Sequence, residues 1–196
     1  MTNKTSFGTR LFVSNPGPRN TALNWNGSPK DEFYPYAGAF RNAAATLVKT
    51  LDLDRMARSD FDACPVVFLY RHALELMMKA IITGDGGKFL RSEPKAKSIY
   101  KTHSLSELLA VVFEIIEAVG PSENFVGDDT PNVTDIRSFV EELDAIDPGS
   151  YSFRYPVKPD GSGSVERQMT FSVVSFAERI DTVLECILTR LPLRFR

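Results

Sequence analysis

The chain has 196 residues, with 23 Lys and Arg against 25 Asp and Glu, a formal net charge of −2. Its 43% hydrophobic and 24% charged residues are ordinary values for a folded domain, so global disorder is excluded, and so is a generally basic nucleic-acid coat, though not a local basic patch. A chain of this length buries about 70% of its unfolded surface and needs neither a metal nor a disulfide to stay folded.

Residues 1–35 are rich in Asn, Gly, Pro and Thr, with Asn15-Pro16-Gly17-Pro18 and Asn26-Gly27-Ser28-Pro29 as breakers. They read as an irregular arm that packs through Phe7, Leu11, Phe12, Val13, Trp25 and Phe33 onto a helical domain spanning residues 36–196. The apolar run Leu11-Phe12-Val13 is too short for the core of a signal peptide, and no stretch has the roughly 18–20 apolar residues of a membrane span. Cys64 and Cys186 are isolated, which makes neither a disulfide framework nor a zinc site. The expectation is a cytoplasmic protein with reduced, buried thiols and no membrane association.

Five helices follow from 3.6-residue periodicity. The first is expected over Ala37–Leu51, with Phe40, Ala44, Leu47, Val48 and Leu51 on one stripe. The second is expected from Ala63 to Thr83, with Asp62 as its N-cap, Pro65 in its first turn and Gly84 at its stop. Its apolar positions cover more than half of the cylinder, which predicts a central helix. A long connection, 84–103, opens with Gly84-Asp85-Gly86-Gly87 and is net basic. The third helix begins at Ser104 with a capping box, Ser104-Leu105-Ser106-Glu107, and stops at Gly120-Pro121. The fourth runs from Thr130-Pro131 to Asp147-Pro148-Gly149, and the fifth from Val173 to Leu191. Between them, the alternation Tyr151-Ser152-Phe153-Arg154-Tyr155 and the turn Pro159-Asp160-Gly161-Ser162-Gly163 predict a small β-hairpin or flap. The fold class is all-α, a five-helix bundle.

Several familiar chemistries lack their motifs. Gly84-Asp85-Gly86-Gly87-Lys88 lacks the spacing of a phosphate loop and follows a helix instead of a strand. His72 and His103 are the only histidines and show no metal-ligand spacing, and no G-x-S-x-G elbow is present. No cofactor or metal is therefore expected.

The candidate site lies on the second helix. Phe68, Arg71, His72, Glu75, Lys79 and Ile82 share one strip opposite the apolar arc, with Arg71–Glu75 and Glu75–Lys79 spaced for ion pairs. Such a strip is either a solvated face or the lining of a cleft or subunit interface. Lys101 and His103 precede the third helix, whose N-terminus attracts anions, so His103 is either a locally bonded histidine or, with Lys101, a phosphate contact. Arg154 is placed either as an exposed strand residue or folded back towards Glu75 or an anion.

The segments Phe68-Leu69-Tyr70-Arg71-His72-Ala73-Leu74-Glu75-Leu76, Lys79-Ala80, Thr102-His103-Ser104-Leu105 and Phe153-Arg154-Tyr155-Pro156, in that order, resemble the HEPN superfamily of small α-helical proteins from prokaryotic toxin–antitoxin and defence loci. The resemblance spans about Val66 to Pro156. It implies a four- or five-helix bundle, frequent dimerisation and binding of nucleotides or RNA. Many members are metal-independent ribonucleases with Arg followed after four to six residues by His. Here Arg71 and His72 are adjacent, and eleven residues separate Arg91 from His103, so that motif is missing.

The leading expectation is accordingly a HEPN-like nucleotide- or RNA-binding homodimer, a regulatory or defence component without the standard ribonuclease motif. Arg71, Glu75, Lys79, Lys101, His103 and Arg154 would bind the ligand. The dimer would pair at or near the second helix, and a protein partner from the same operon is possible. A second reading is a divergent metal-independent ribonuclease using Arg71, His72 and His103. A third is a purely structural interaction module.

Overall fold

A computed structural model of the chain describes residue 21 and residues 29–51, 56–90, 96–120, 131–165 and 168–190. Six α-helices run through them: α1 (Phe33–Thr50), α2 (Met56–Thr83), α3 (Ala96–Lys101), α4 (Leu105–Val119), α5 (Val133–Ile146) and α6 (Val173–Arg190). Short 3-10 turns span Pro29–Glu32 and Asp85–Phe89. No strand occurs among the described residues, and none of their helices is long and apolar enough to cross a membrane.

α2 is the axis of the bundle. It packs against α1, α4 and α6, and α4 packs in turn on α5. Every residue from 73 to 82 is buried. Leu74, Met78 and Ile81 of α2 join Leu105, Leu108 and Val112 of α4, Ile136 and Val140 of α5, and Val183, Leu184 and Ile187 of α6 in one core. On α1 the fully buried residues are the small Ala37 and Ala44, which let that helix lie close along α2. The apolar girth that marks α2 as central is consumed within one chain.

Several boundaries move. α1 starts at Phe33, inside the expected arm, because Pro35 occupies its first turn, where a missing N–H costs nothing. α2 starts at Met56, so Asp62 lies within the helix and is not its cap, and Pro65 is interior. The extra turns come from good helix formers, Met56, Ala57 and Arg58, which carry no apolar stripe to announce them. The connection 84–103 is partly regular, holding a 3-10 turn and α3. Gly84 does end α2: its amide donates to the Ala80 carbonyl at 3.0 Å, and a Cβ there would come within 2.8 Å of that oxygen. At Gly87 a Cβ would stand 2.5 Å from the Ile82 carbonyl oxygen. Close approach to the end of α2, and not phosphate binding, accounts for these glycines.

Ser104 caps α4 by accepting from the Glu107 amide at 3.2 Å, but the expected capping box is only half formed. The Glu107 carboxylate takes the Thr102 hydroxyl at 2.7 Å, and Thr102 Oγ1 accepts from the Ser104 amide. A complete capping box stands instead at α5, between Asn132 and Asp135. Gly120, with φ of 86°, ends α4 in the left-handed region that suits glycine. Residues 151–165, the expected small hairpin or flap, form successive turns with a single antiparallel bridge, Val157 to Gly163. Four prolines and glycines between 156 and 163 interrupt the pairing that the aromatic alternation suggested. Leu191 and Pro192, the expected end of the last helix, lie outside the described residues, as does most of the arm. Cys64 is half-buried and Cys186 buried, and neither is in a disulfide.

Candidate functional site

Arg71, Glu75 and Lys79 recur every four residues along one face of α2, and α4, α5 and the chain after α5 close over that face. Arg71 is fully buried, Glu75 is 1% exposed and Lys79 4%. The reading of this strip as a solvated face is therefore overturned. The Arg71 guanidinium is used on every side. Its Nε donates to the Asp147 carbonyl at 3.0 Å and one terminal nitrogen to Glu75 Oε2 at 3.1 Å. The other donates to the His103 carbonyl at 2.7 Å. Asp144 and Asp147 carboxylate oxygens stand 3.7 and 3.3 Å away. Glu75 Oε1 accepts from Lys79 Nζ at 2.9 Å and lies 3.0 Å from Nδ1 of His103. Two cations thus face three carboxylates, with the His103 ring at the edge.

Burial alone would raise the Glu75 pKa, but the Lys79 hydrogen bond and charge, the nearby His103 and Arg71 outweigh it, and the carboxyl sits below its ordinary range. Glu75 therefore stays ionised at neutral pH and holds the imidazole of His103 by one nitrogen. That side chain remains 53% exposed, so the rest of the ring faces solvent.

Asp144 and Asp147 were not singled out as site residues. Asp144 falls four residues after Val140 and Asp147 four after Leu143, in register with the buried stripe of α5. An acid repeating on an apolar face is the signal that would have found both. Asp144 has a second task. Its carboxylate accepts from the Leu105 amide at 2.8 Å, the Ser106 amide at 3.2 Å and the Ser104 hydroxyl at 2.9 Å. The N-terminus of α4, expected as an anion site beside Lys101 and His103, is already filled by this side chain.

The remaining candidates lie on a more open, aromatic surface. The His72 ring meets Phe40 edge-on at 4.5 Å and stacks on Phe68 at 5.8 Å. Burial lowers its pKa; Glu75 opposes this, and Lys79, Arg154 and Arg71 add to the lowering. His72 is therefore mainly neutral at pH 7. Arg154 is exposed and folds back over the bundle, yet it does not reach Glu75. Its Nε donates to the Ser150 carbonyl, and its guanidinium lies over Phe68 at 5.5 Å and Tyr155 at 5.7 Å. Tyr151 packs on Tyr155 at 4.6 Å. Lys101 is exposed at the end of α3, whose Tyr100 stacks on Phe33.

Of the six expected ligand-binding residues, the fold gathers Arg71, Glu75, Lys79 and His103 into one network and leaves Arg154 and Lys101 on the surface beside it. Chemically, Arg71 and Lys79 are buried and paired with internal carboxylates and, for Arg71, two backbone carbonyls. His103, His72 and Arg154 are the groups with open ring edges or faces. Among the described residues, no group of three or more His, Cys, Asp or Glu side chains is placed to hold a metal ion. No family model matches the chain, and no curated protein or solved structure proves similar to it.

Proposed function

We propose that the chain is a HEPN-like helical protein that binds a nucleotide or RNA through the rim formed by His103, Arg154, His72 and Lys101. The observation that supports it is the Glu75–His103 contact: a buried carboxylate fixes one imidazole nitrogen at 3.0 Å and leaves half the side chain in solvent. The Arg154 guanidinium lies over the Phe68 ring at 5.5 Å and the Tyr155 ring at 5.7 Å, a cation–π cluster of the kind that offers stacking surface to bases in single-stranded nucleic acid recognition. In this reading Arg71, Glu75 and Lys79 position the rim and do not touch the ligand. Homodimerisation, a same-operon protein partner and a defence role belong to the same proposal and rest on the family resemblance.

The test is a fluorescence-anisotropy titration of a labelled single-stranded RNA at 50 and 200 mM salt, with a gel for products. Binding should weaken with salt, and Arg154→Ala should weaken it at both salt concentrations by about 1–3 kcal/mol, the worth of one stacked base. The burial and internal pairing of Arg71 and Lys79 favour a second reading, a structural interaction module, and the absence of binding at low salt would select it. Cleavage that depends on His103 would select the ribonuclease reading, since a carboxylate-held imidazole suits general acid–base work.

A further inference from the structure

An apolar recess of about 290 Å³ lies between α5 and α6, at the small end of the range for ligand pockets. Its floor is closed by Val67, Leu143, Phe153, Ile180 and Val183, all buried. One wall is held in place by ring contacts: Phe171 meets Phe176 edge-on at 6.1 Å, and Phe176 meets Tyr70 at 6.2 Å. At the mouth, Met169 and Phe171 stay 38% and 41% exposed, apolar surface that the fold itself leaves uncovered. None of the rim residues His72, Lys101, His103 and Arg154 lines this recess.

The described lining carries two charged residues, Glu142 of α5 and Arg179 of α6, and both are exposed. The Arg179 guanidinium lies over the Phe139 ring at 5.7 Å. That contact holds the group at the mouth without supplying a hydrogen-bond acceptor, so its N–H donors remain available. Among the described residues, neither Arg179 nor Glu142 has a hydrogen bond or an ion pair, so the two do not neutralise each other. A head group with a single charge would be drawn to one of them and repelled by the other. A head group carrying both signs finds a partner in each.

We propose that this recess binds a free α-amino acid with a large apolar side chain. The side chain fills the floor, the carboxylate accepts from Arg179 and the ammonium donates to Glu142. Charge complementarity selects this occupant over a neutral molecule, which would use neither charge. It also selects it over a peptide, whose two terminal charges stand far apart. The small volume limits the apolar body to about the size of one side chain.

The test is a methyl-group NMR titration of the full chain with L-phenylalanine. The methyl signals of Leu143, Ile180 and Val183 should shift and saturate. Glycine, which lacks the apolar body, should leave them in place. Hydrocinnamate and phenethylamine each keep the ring and one charge, and should bind about two- to five-fold more weakly, the worth of one exposed ion pair. Arg179→Ala should make phenethylamine the equal of L-phenylalanine, and Glu142→Ala should do the same for hydrocinnamate. Both residues are exposed, so circular dichroism should show each variant folded. Equal binding of the three ring compounds to the native chain, or a preference that neither substitution moves, would overturn the proposal. So would methyl signals that do not shift or do not saturate.

Discussion

Two polar networks cross this bundle, built from similar side chains in different surroundings. The first ties α2 to α4 and α5 through Arg71, Glu75, Lys79, Asp144 and Asp147, all buried. The second ties α1 to α6 through Arg41, whose Nε meets Asp181 at 2.6 Å and whose terminal nitrogen reaches Glu185 at 3.4 Å. Tyr70 of α2 joins it by donating to Asp181 Oδ2 at 3.1 Å. There the Arg41 and Asp181 side chains are 28% and 35% exposed, and Glu185 is 60% exposed. Water screens the Arg41 pairs, so each contributes little and neither charged partner is stranded when the other is removed. In the first network, removing one partner leaves uncompensated charge in the interior. The same Arg–carboxylate pairing can thus be surface decoration or a structural requirement, and burial decides which.

The largest expected effect is at Arg71. Arg71→Ala leaves three carboxylates facing one lysine, and should destabilise the fold by about 3–5 kcal/mol in urea denaturation. A loss near that of an exposed pair would erase the contrast between the networks. Next is Asp144→Asn, which removes the charge at the α4 N-terminus and one of its acceptors. The expected loss is about 1–2 kcal/mol. Tyr70→Phe should cost about 1 kcal/mol, the worth of one hydrogen bond. The Tyr70 hydroxyl itself is pushed up to about 12, first by burial and then by Asp181, so a spectrophotometric titration should show one tyrosine ionising late. Arg41→Ala should cost the least, about 0.2–1 kcal/mol, and high salt should shrink it further.

Acid sharpens the comparison. The folded-state pKa of His72 is depressed by burial, so the unfolded chain takes up a proton first as pH falls. Its contribution to stability is complete above the unfolded value of about 6.5 and is lost as pH drops through the lower folded value. Glu75 is also depressed, so its contribution is lost only below the unfolded carboxyl value of about 4.3. Stability measured from pH 7.5 to 4 should therefore decline first in the histidine range, and His72→Gln should remove that early decline. An unchanged profile in the variant would assign the decline to other groups.

Much of the fold is legible in the sequence because helices α4, α5 and α6 each carry a single clean apolar stripe. Positions such as Leu108, Val112 and Ile136 fall inside because no other face of their helix can. The start of α2 is illegible for the opposite reason: residues 56–61 have helical propensity but no stripe, and Phe61 remains 83% exposed. Arg71, Glu75, Lys79 and His103 can be grouped by spacing and motif, and the structure does bring them together. Their burial cannot be read that way, since it depends on α4 and α5 covering α2 from distant sequence. Asp144 shows the same limit. An acid on an apolar stripe announces a buried partner, but not that the partners include both Arg71 and the amides of Leu105 and Ser106.

The central claim is a division of labour, with Arg71 holding the fold and His103 meeting the ligand. The most direct test is a nuclear magnetic resonance titration with a short single-stranded RNA, following the imidazole signals of His103 and the Nε–H of Arg71 in one sample. The account predicts that the His103 signals move with added RNA while the Arg71 Nε–H, bonded to the Asp147 carbonyl, stays visible and fixed. A shift or loss of the Arg71 signal with His103 unmoved would contradict it.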